Sequence, residues 1–249
     1  MKNIGKKFFE FTKHKYSEEE SDQQKGLSCP PIDATYDESA QLIDLPDFSD
    51  VSTKVDFQEI VNNRKSIRKY SDKVVTLVEL SYLLWNTQGV KRVIKRENNA
   101  VSIRTVPSAG ARHPFETLLL VNNVEGLESG LYRYIATKHK LINLNASTDI
   151  KEKVIEASYK QKFIGNSAVT FIWYADVYKT VWKYQERSYR YLLLDAGHVC
   201  QNLYLSAGTI DSTVCAIAAY NDDAMNNVLG LDGENQFVIY LATVGKRYK

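Results

Sequence analysis

The chain has little proline, only five in 249 residues, and few methionines and cysteines. The prolines are unevenly placed. Pro30, Pro31 and Pro46 fall in the N-terminal stretch, and Pro107 and Pro114 bracket one short loop. The three cysteines, Cys29, Cys200 and Cys215, are odd in number and lack C-x-x-C spacing, which excludes a disulfide framework and reads as free thiols in a reducing cytoplasm. No apolar run reaches the length of a membrane span, and the first residues lack a signal-peptide core. Net charge is only +2, too mild for a dedicated nucleic-acid binder. No G-x-S-x-G or P-loop occurs, and no second His or Cys sits at ligand spacing from His198, so no metal is expected. Internal repeats and low-complexity tracts are absent too.

What is present is an ordinary globular composition, 44% hydrophobic and 25% charged, with enough length for a sizeable core. The most informative stretch is Thr105–Glu116 running into Thr117–Val121. Its second half reads as a buried strand, with a continuous apolar run between β-branched ends. Its first half is a loop of small residues, Ser108, Ala109 and Gly110, between stiffening prolines. Such a loop lets a flat ring approach the backbone, although the same residues also suit an ordinary turn. Upstream, Arg64-Lys65-Ser66-Ile67-Arg68 sets two guanidiniums four residues apart around a hydroxyl. That grouping suits a phosphate monoester, or else two surface ion pairs.

The remaining pattern alternates strands and helices. Residues 4–16 have amphipathic helical spacing; residues 17–22 form a solvated charge run; residues 26–51 read as loop. So long an irregular segment suggests an arm lying on a partner subunit. Helices are expected from Asp56 to Asn63, from Thr76 to a left-handed Gly89, from Asp149 to Tyr159, over Asp222–Leu229, and over the long apolar stretch Tyr184–Gly208. The last is apolar almost all round, which points to burial against a second subunit. Strands are expected at 116–122, 131–135, 140–144, 168–174, 213–218 and 236–244, with the basic run Lys91–Arg96 taken as a solvated loop. The expected fold class is α+β, three layers with a mixed sheet.

The elements R-x-S-x-R-x-Y (Arg64–Tyr70), P-S-A-G-A-R-H-P (Pro107–Pro114) and D-A-G-H-x-x-Q-N-L-x-L (Asp195–Leu205) resemble, in this order, those of the nitroreductase superfamily, in particular its SagB-type dehydrogenase branch. The resemblance covers about residues 56–247 and implies a homodimer with two FMN sites at its interface, NAD(P)H as electron donor, and a small-molecule or peptide substrate. It divides the chain into an N-terminal helix and arm, 1–55, and an FMN-binding domain, 56–249. It implies phosphate and ribityl contacts from Arg64, Ser66 and Arg68, with Lys246 and Arg247 as further phosphate partners. Pro107, Ser108, Ala109 and Gly110 would lie against the isoalloxazine. Cys215, Ala216 and Ile217 would approach its N5, one backbone N–H donating. The azoline dehydrogenases of this branch carry a Lys-Tyr pair where this chain has Lys183-Tyr184, preceded by Trp182 instead of the usual Leu. There the pair is implicated in removing the ring proton while hydride passes to FMN. Alternatively, Lys183 and Tyr184 simply enter a long helix, and His198 is a hydrogen-bonded core histidine. The functions implied are a ping-pong FMN oxidoreductase, an azoline dehydrogenase acting on a ribosomal peptide, or a flavin-binding dimer without turnover.

Overall fold

The computed structural model describes residues 2–17, 19–51, 55–96 and 99–248. Glu18 of the expected charge run therefore lies outside the described residues. Seven strands form the main sheet: β1 (Leu42–Asp44), β4 (Phe115–Val121), β5 (Gly130–Ile135), β6 (Lys140–Asn143), β7 (Val169–Asp176), β8 (Ser212–Ile217) and β9 (Gln236–Lys246). Their order is β1-β6-β5-β4-β7-β9-β8. Every ladder between them is antiparallel, and the parallel pairing is confined to two isolated bridges, Ser66–Val214 at the β8 edge and Val75–Val124.

Every residue of β4 is buried, because the sheet is the middle of three layers. One face carries Leu119, Phe171 and Ala242 into a core with α3 (Leu77–Gln88) and α7 (Ser188–Thr209). The other carries Leu118, Ile172 and Leu241 against α4 (Ile150–Ala157), α5 (Phe163–Asn166) and α8 (Asp222–Leu229). Alternate residues of one strand thus feed opposite layers, the geometry of a pleated strand. The remaining helices are α1 (Ile4–Phe11), α2 (Phe57–Asn63) and α6 (Tyr178–Tyr184).

Helix starts follow local chemistry. Thr76 and Glu79 form a full capping box on α3, and the Asp56 carboxylate accepts from Glu59 N–H at 3.0 Å on α2. Two expected caps differ. Asp149 makes no side-chain cap bond. Gly89 is not left-handed, with φ −57°; glycine is needed there because a Cβ would stand 2.5 Å from the Trp85 carbonyl oxygen. The basic run is not a loop but β2 (Val90–Arg96), paired with β3 (Asn99–Arg104) in a hairpin outside the main sheet. Its charged residues hide the strand period.

The segment 26–51 folds back on its own chain rather than reaching away from it. Leu42–Asp44 extend the sheet beside β6. Ser81 Oγ donates to the Pro46 carbonyl at 2.7 Å, and Phe48 packs edge-on to Tyr82 and His139. Backbone carbonyls of Ala34 and Thr35 accept from Arg133.

Helix α7 is not buried all round within one chain. Leu192, Ala196, Val199 and Leu203 face the core, whereas Leu193, Leu194, Gly197, His198 and Gln201 form an exposed stripe. Leu193 and Leu194 are each 55% exposed, and His198 is a surface residue, not a core one. No described helix is long and apolar enough to cross a membrane, and no described cluster of His, Cys, Asp or Glu could hold a metal ion.

Candidate functional site

The candidate residues gather at two places along α7. Asp195 and Tyr204 are nine residues apart, which at about 100° and 1.5 Å per residue sets them roughly 13.5 Å apart and pointing in opposite directions. Each side chain organises one group.

At Asp195 the small-residue loop is tied down. Ser108 Oγ donates to Asp195 Oδ2 at 2.5 Å, and Ala109 N–H donates to Oδ1 at 3.2 Å. Ser108 Oγ in turn accepts from His113 N–H at 2.9 Å. The Ser108 hydroxyl is therefore turned inward, donating to Asp195 and accepting from His113. Burial pushes the Asp195 carboxyl above its usual pKa, and its bonds to Ser108 and Ala109 oppose the rise. The bonds hold a strained backbone: Gly110, Ala111 and His113 have φ of 57°, 54° and 47°, a region costly for the two residues with a Cβ. Pro107 and Gly110 are exposed, so the outer surface of the loop is open.

The same loop meets the Lys-Tyr pair. A Cβ on Gly110 would lie 2.3 Å from the Tyr184 hydroxyl and 3.0 Å from Lys183 Nζ. Only glycine lets these three come together. Lys183 Nζ also sits 5.2 Å from the Tyr184 ring centre, and Tyr191 packs edge-on against that ring at 4.9 Å. Partial burial raises the Tyr184 pKa; Tyr191 adds to the rise and Arg112 opposes it.

Helix α6, which carries the pair, is pinned from below. Lys179, 1% exposed, is ion-paired with buried Glu116 and donates to the Ile32 carbonyl at 2.9 Å. Arg112 Nε donates to the Lys179 carbonyl at 2.7 Å while its guanidinium lies 4.6 Å from the Trp182 ring centre. Trp182 Nε1 donates to the Leu27 carbonyl at 3.1 Å, so the arm is part of this clamp. Burial alone would raise the Glu116 pKa, but Lys179 and Arg104 outweigh it and hold the carboxyl below its usual value. Burial and the adjacent Arg104 depress the His113 pKa to about 3, so its imidazole stays neutral.

At Tyr204 the geometry is open. Ser66 Oγ is 2.8 Å from the Tyr204 hydroxyl, which accepts from Ala216 N–H at 2.9 Å. The Ala216 amide is thus taken by Tyr204 rather than left free for a ligand. The Arg64 guanidinium stands 5.3 Å from the Tyr204 ring centre and has no carboxylate partner among the described residues. Arg64, Lys65, Tyr204 and Arg247 line a cavity of about 300 Å³, with the carboxylates of Glu59 and Asp211 also in its wall. Arg247 is held loosely by Asp211 at 3.5 Å. Cys215 and Ile217 are buried, and burial pushes the Cys215 thiol pKa up.

Two expected phosphate partners, Lys246 and Arg68, do not line this cavity. Lys246 Nζ is ion-paired with Glu79 and donates to the Ile210 carbonyl at 2.9 Å, so it ties the end of β9 to α3. Arg68 lies 5.7 Å from the Phe163 ring centre and lines a second cavity of about 760 Å³ with Lys69, Lys73 and Lys151. Arg64 and Arg68 therefore do not converge on one point within the chain. Conversely, sequence reasoning misses Asp195, Tyr204 and the Lys179–Glu116 pair. Asp195 and Tyr204 lie within the third motif, beside the more conspicuous His198.

With this geometry in view, the comparisons are decisive about family. The Nitroreductase family model matches residues 61–246. The chain belongs to the nitroreductase family. A nitroreductase-named protein of Methanocaldococcus jannaschii, MJ1384, is 29% identical over 205 residues, 82% of this chain and 96% of that protein. The trifolitoxin-processing protein TfxB of Rhizobium leguminosarum bv. trifolii is 31% identical over 167 residues, 64% of this chain but 43% of its own length. This likeness accords with the SagB-type motifs. Among solved structures, a nitroreductase-titled protein of Anabaena variabilis matches with a TM-score of 0.75 at 25% identity, over 97% of this chain and 46% of that one. A chain of the E. coli microcin synthetase McbBCD complex shares the nitroreductase fold, with TM-score 0.60 and 21% identity, over 85% of this chain and 80% of that one.

Proposed function

We propose that this nitroreductase-family chain is an FMN-dependent oxidoreductase that passes reducing equivalents between NAD(P)H and a small organic acceptor. The observation that carries the cofactor is the open edge at Arg64 and Ser66. An exposed guanidinium without a described carboxylate partner, beside a hydroxyl and a cavity of about 300 Å³, suits a phosphate monoester. The exposed loop at Pro107 and Gly110, with little side-chain bulk on its outer surface, suits the face of a flat ring. A flavin bound there supplies two-electron hydride chemistry, and the protein binds and orients it. On this reading residues 56–249 are the FMN-binding unit and residues 1–55 its arm.

The two halves are organised from opposite sides of α7. In a homodimer the loop of one copy would join the edge of the other on one ligand. The surface supports it: the chain exposes 13396 Å², against about 11,000 Å² for a compact monomer of its mass. The exposed stripe of Leu193 and Leu194 is the natural seam.

A second reading, azoline oxidation within a peptide, is favoured by the convergence of Lys183 Nζ and Tyr184 on Gly110 and by the trifolitoxin-processing relatives. Lys183 would accept the ring proton, with Tyr184 and Gly110 fixing its position. The test is stopped-flow reduction by NAD(P)H beside product detection on a thiazoline peptide, wild type against Lys183→Ala. For the azoline role, Lys183→Ala lowers azole formation roughly 10²–10⁴-fold with FMN content unchanged. For a general reductase, NAD(P)H oxidation ignores the substitution and no azole appears. Purified protein that takes up no FMN defeats both, and FMN uptake without turnover in either assay identifies a non-catalytic flavin-binding dimer.

A further inference from the structure

We propose that Tyr204 orients the Ser66 hydroxyl as an outward hydrogen-bond donor, making the two residues a phosphate-recognition relay beside Arg64. The inference rests on the reading of this edge as the phosphate end of an FMN site. It starts from the order of the hydrogen bonds. Ala216 N–H, a backbone donor on the edge strand β8, donates to the Tyr204 hydroxyl oxygen at 2.9 Å. A phenol that accepts there retains its own proton to donate. The acceptor within reach is Ser66 Oγ, at 2.8 Å. Ser66 Oγ–H then has no acceptor among the described residues. Ser66 is exposed, so its hydrogen is free for a ligand.

The backbone holds the pair in place. The Ser66 segment is laid parallel to β8 by the Ser66–Val214 bridge, with Ile67 N–H donating to the Val214 carbonyl at 3.0 Å. The Arg64 guanidinium lies by the ring of the same tyrosine, 5.3 Å from its centre. A directed O–H donor and a cation on one edge recognise a phosphate ester in preference to a neutral alcohol. The relay therefore predicts discrimination between two flavins that share a ring and differ in the phosphate.

The full-length protein, stripped of flavin, is titrated with FMN and with riboflavin by quenching of flavin fluorescence. Wild type binds FMN more tightly. Tyr204→Phe weakens FMN about tenfold, in the range of a hydrogen bond to a charged group, and changes riboflavin affinity less than about twofold. Ser66→Ala, a change at an exposed position, does the same, and the double variant is no worse than either single one because both break one relay. Thermal melts by circular dichroism check that each variant is folded. If Tyr204→Phe weakens FMN and riboflavin by the same factor, or leaves FMN affinity unchanged, the relay is wrong while the phosphate edge stands. Additive losses in the double variant also overturn the relay. Wild-type protein that binds riboflavin as tightly as FMN overturns the reading of the edge itself, and the relay with it.

Discussion

The two ends of α7 solve opposite problems. At Asp195 the loop is tied inward to the chain: Ser108 donates and accepts, Ala109 N–H is bonded, and His113 is buried and neutral. Beside half-buried Tyr204, Ser66 and Arg64 are exposed, and the guanidinium has no described carboxylate partner. The first end fixes a strained backbone against Lys183 and Tyr184, and the second leaves donors unanswered. A closed network is a scaffold, whereas an open one fits a ligand that completes it.

The largest effect sharpens the contrast between the two faces of α7. Leu203 is fully buried in its own chain, so Leu203→Asp places a charge in the core and yields no folded protein, a cost above about 4 kcal/mol. Leu194→Asp, on the exposed stripe, leaves the fold intact and lowers the dimer fraction in light scattering. An unfolded Leu194→Asp, or a folded Leu203→Asp, would reverse this assignment of faces.

Next, Asp195→Ala strands the Ser108 hydroxyl and the Ala109 N–H under a strained loop. Denaturant unfolding should show a loss of about 2–4 kcal/mol. Riboflavin and FMN should keep their affinity ratio, because the phosphate edge is elsewhere. A change in that ratio would mean that the two ends are not independent.

Acid gives a smaller, graded effect. The folded pKa of His113 lies at about 3, below its ordinary value. Above about pH 6.5 the imidazole is neutral in both states and contributes no pH dependence. As pH falls below that value, the unfolded chain takes a proton that the folded one refuses. Stability should then fall by about 1.4 kcal/mol per pH unit until the folded histidine titrates. His139, also depressed by burial, adds the same sign. Unfolding midpoints between pH 7 and 5 test this, and His113→Asn should flatten the slope.

The smallest effect on binding is expected at Lys246. Lys246→Met breaks the pair with Glu79 and lowers the melting temperature, but FMN affinity should stay within about twofold. Arg64→Ala should do the reverse. A large loss of FMN affinity in Lys246→Met would return that lysine to the phosphate site.

Much of the fold is legible along the chain. Runs of apolar residues mark the strands 116–122 and 168–174, and the Thr76–Glu79 spacing marks a capping box, because these signals depend on neighbours close in sequence. The hairpin β2–β3 escapes such reading because Lys91, Arg92 and Lys95 mask its period. The arm's contacts with its own chain are not legible either, since nothing in residues 26–51 shows that their carbonyls answer Lys179, Arg133 and Trp182.

The sequence by itself determined the layers, the motif order and the family. Periodicity and spacing are carried along the chain, and 61–246 retains them. Only the tertiary structure decided which cation is free and which is paired. Lys246 and Arg247 are adjacent in sequence, yet one is tied tightly to half-buried Glu79 on α3, while the other stands at the cavity edge, paired loosely with exposed Asp211, and nearby Arg64 has no carboxylate partner among the described residues. Likewise Ser66 and Ser108 look alike in their motifs, but Asp195 closes one hydroxyl inward while the other remains exposed at Tyr204. The physical reason is that a hydrogen bond between residues 87 or 138 positions apart leaves no periodic trace. Such contacts arise where α7 crosses the sheet, and the fold alone brings them together.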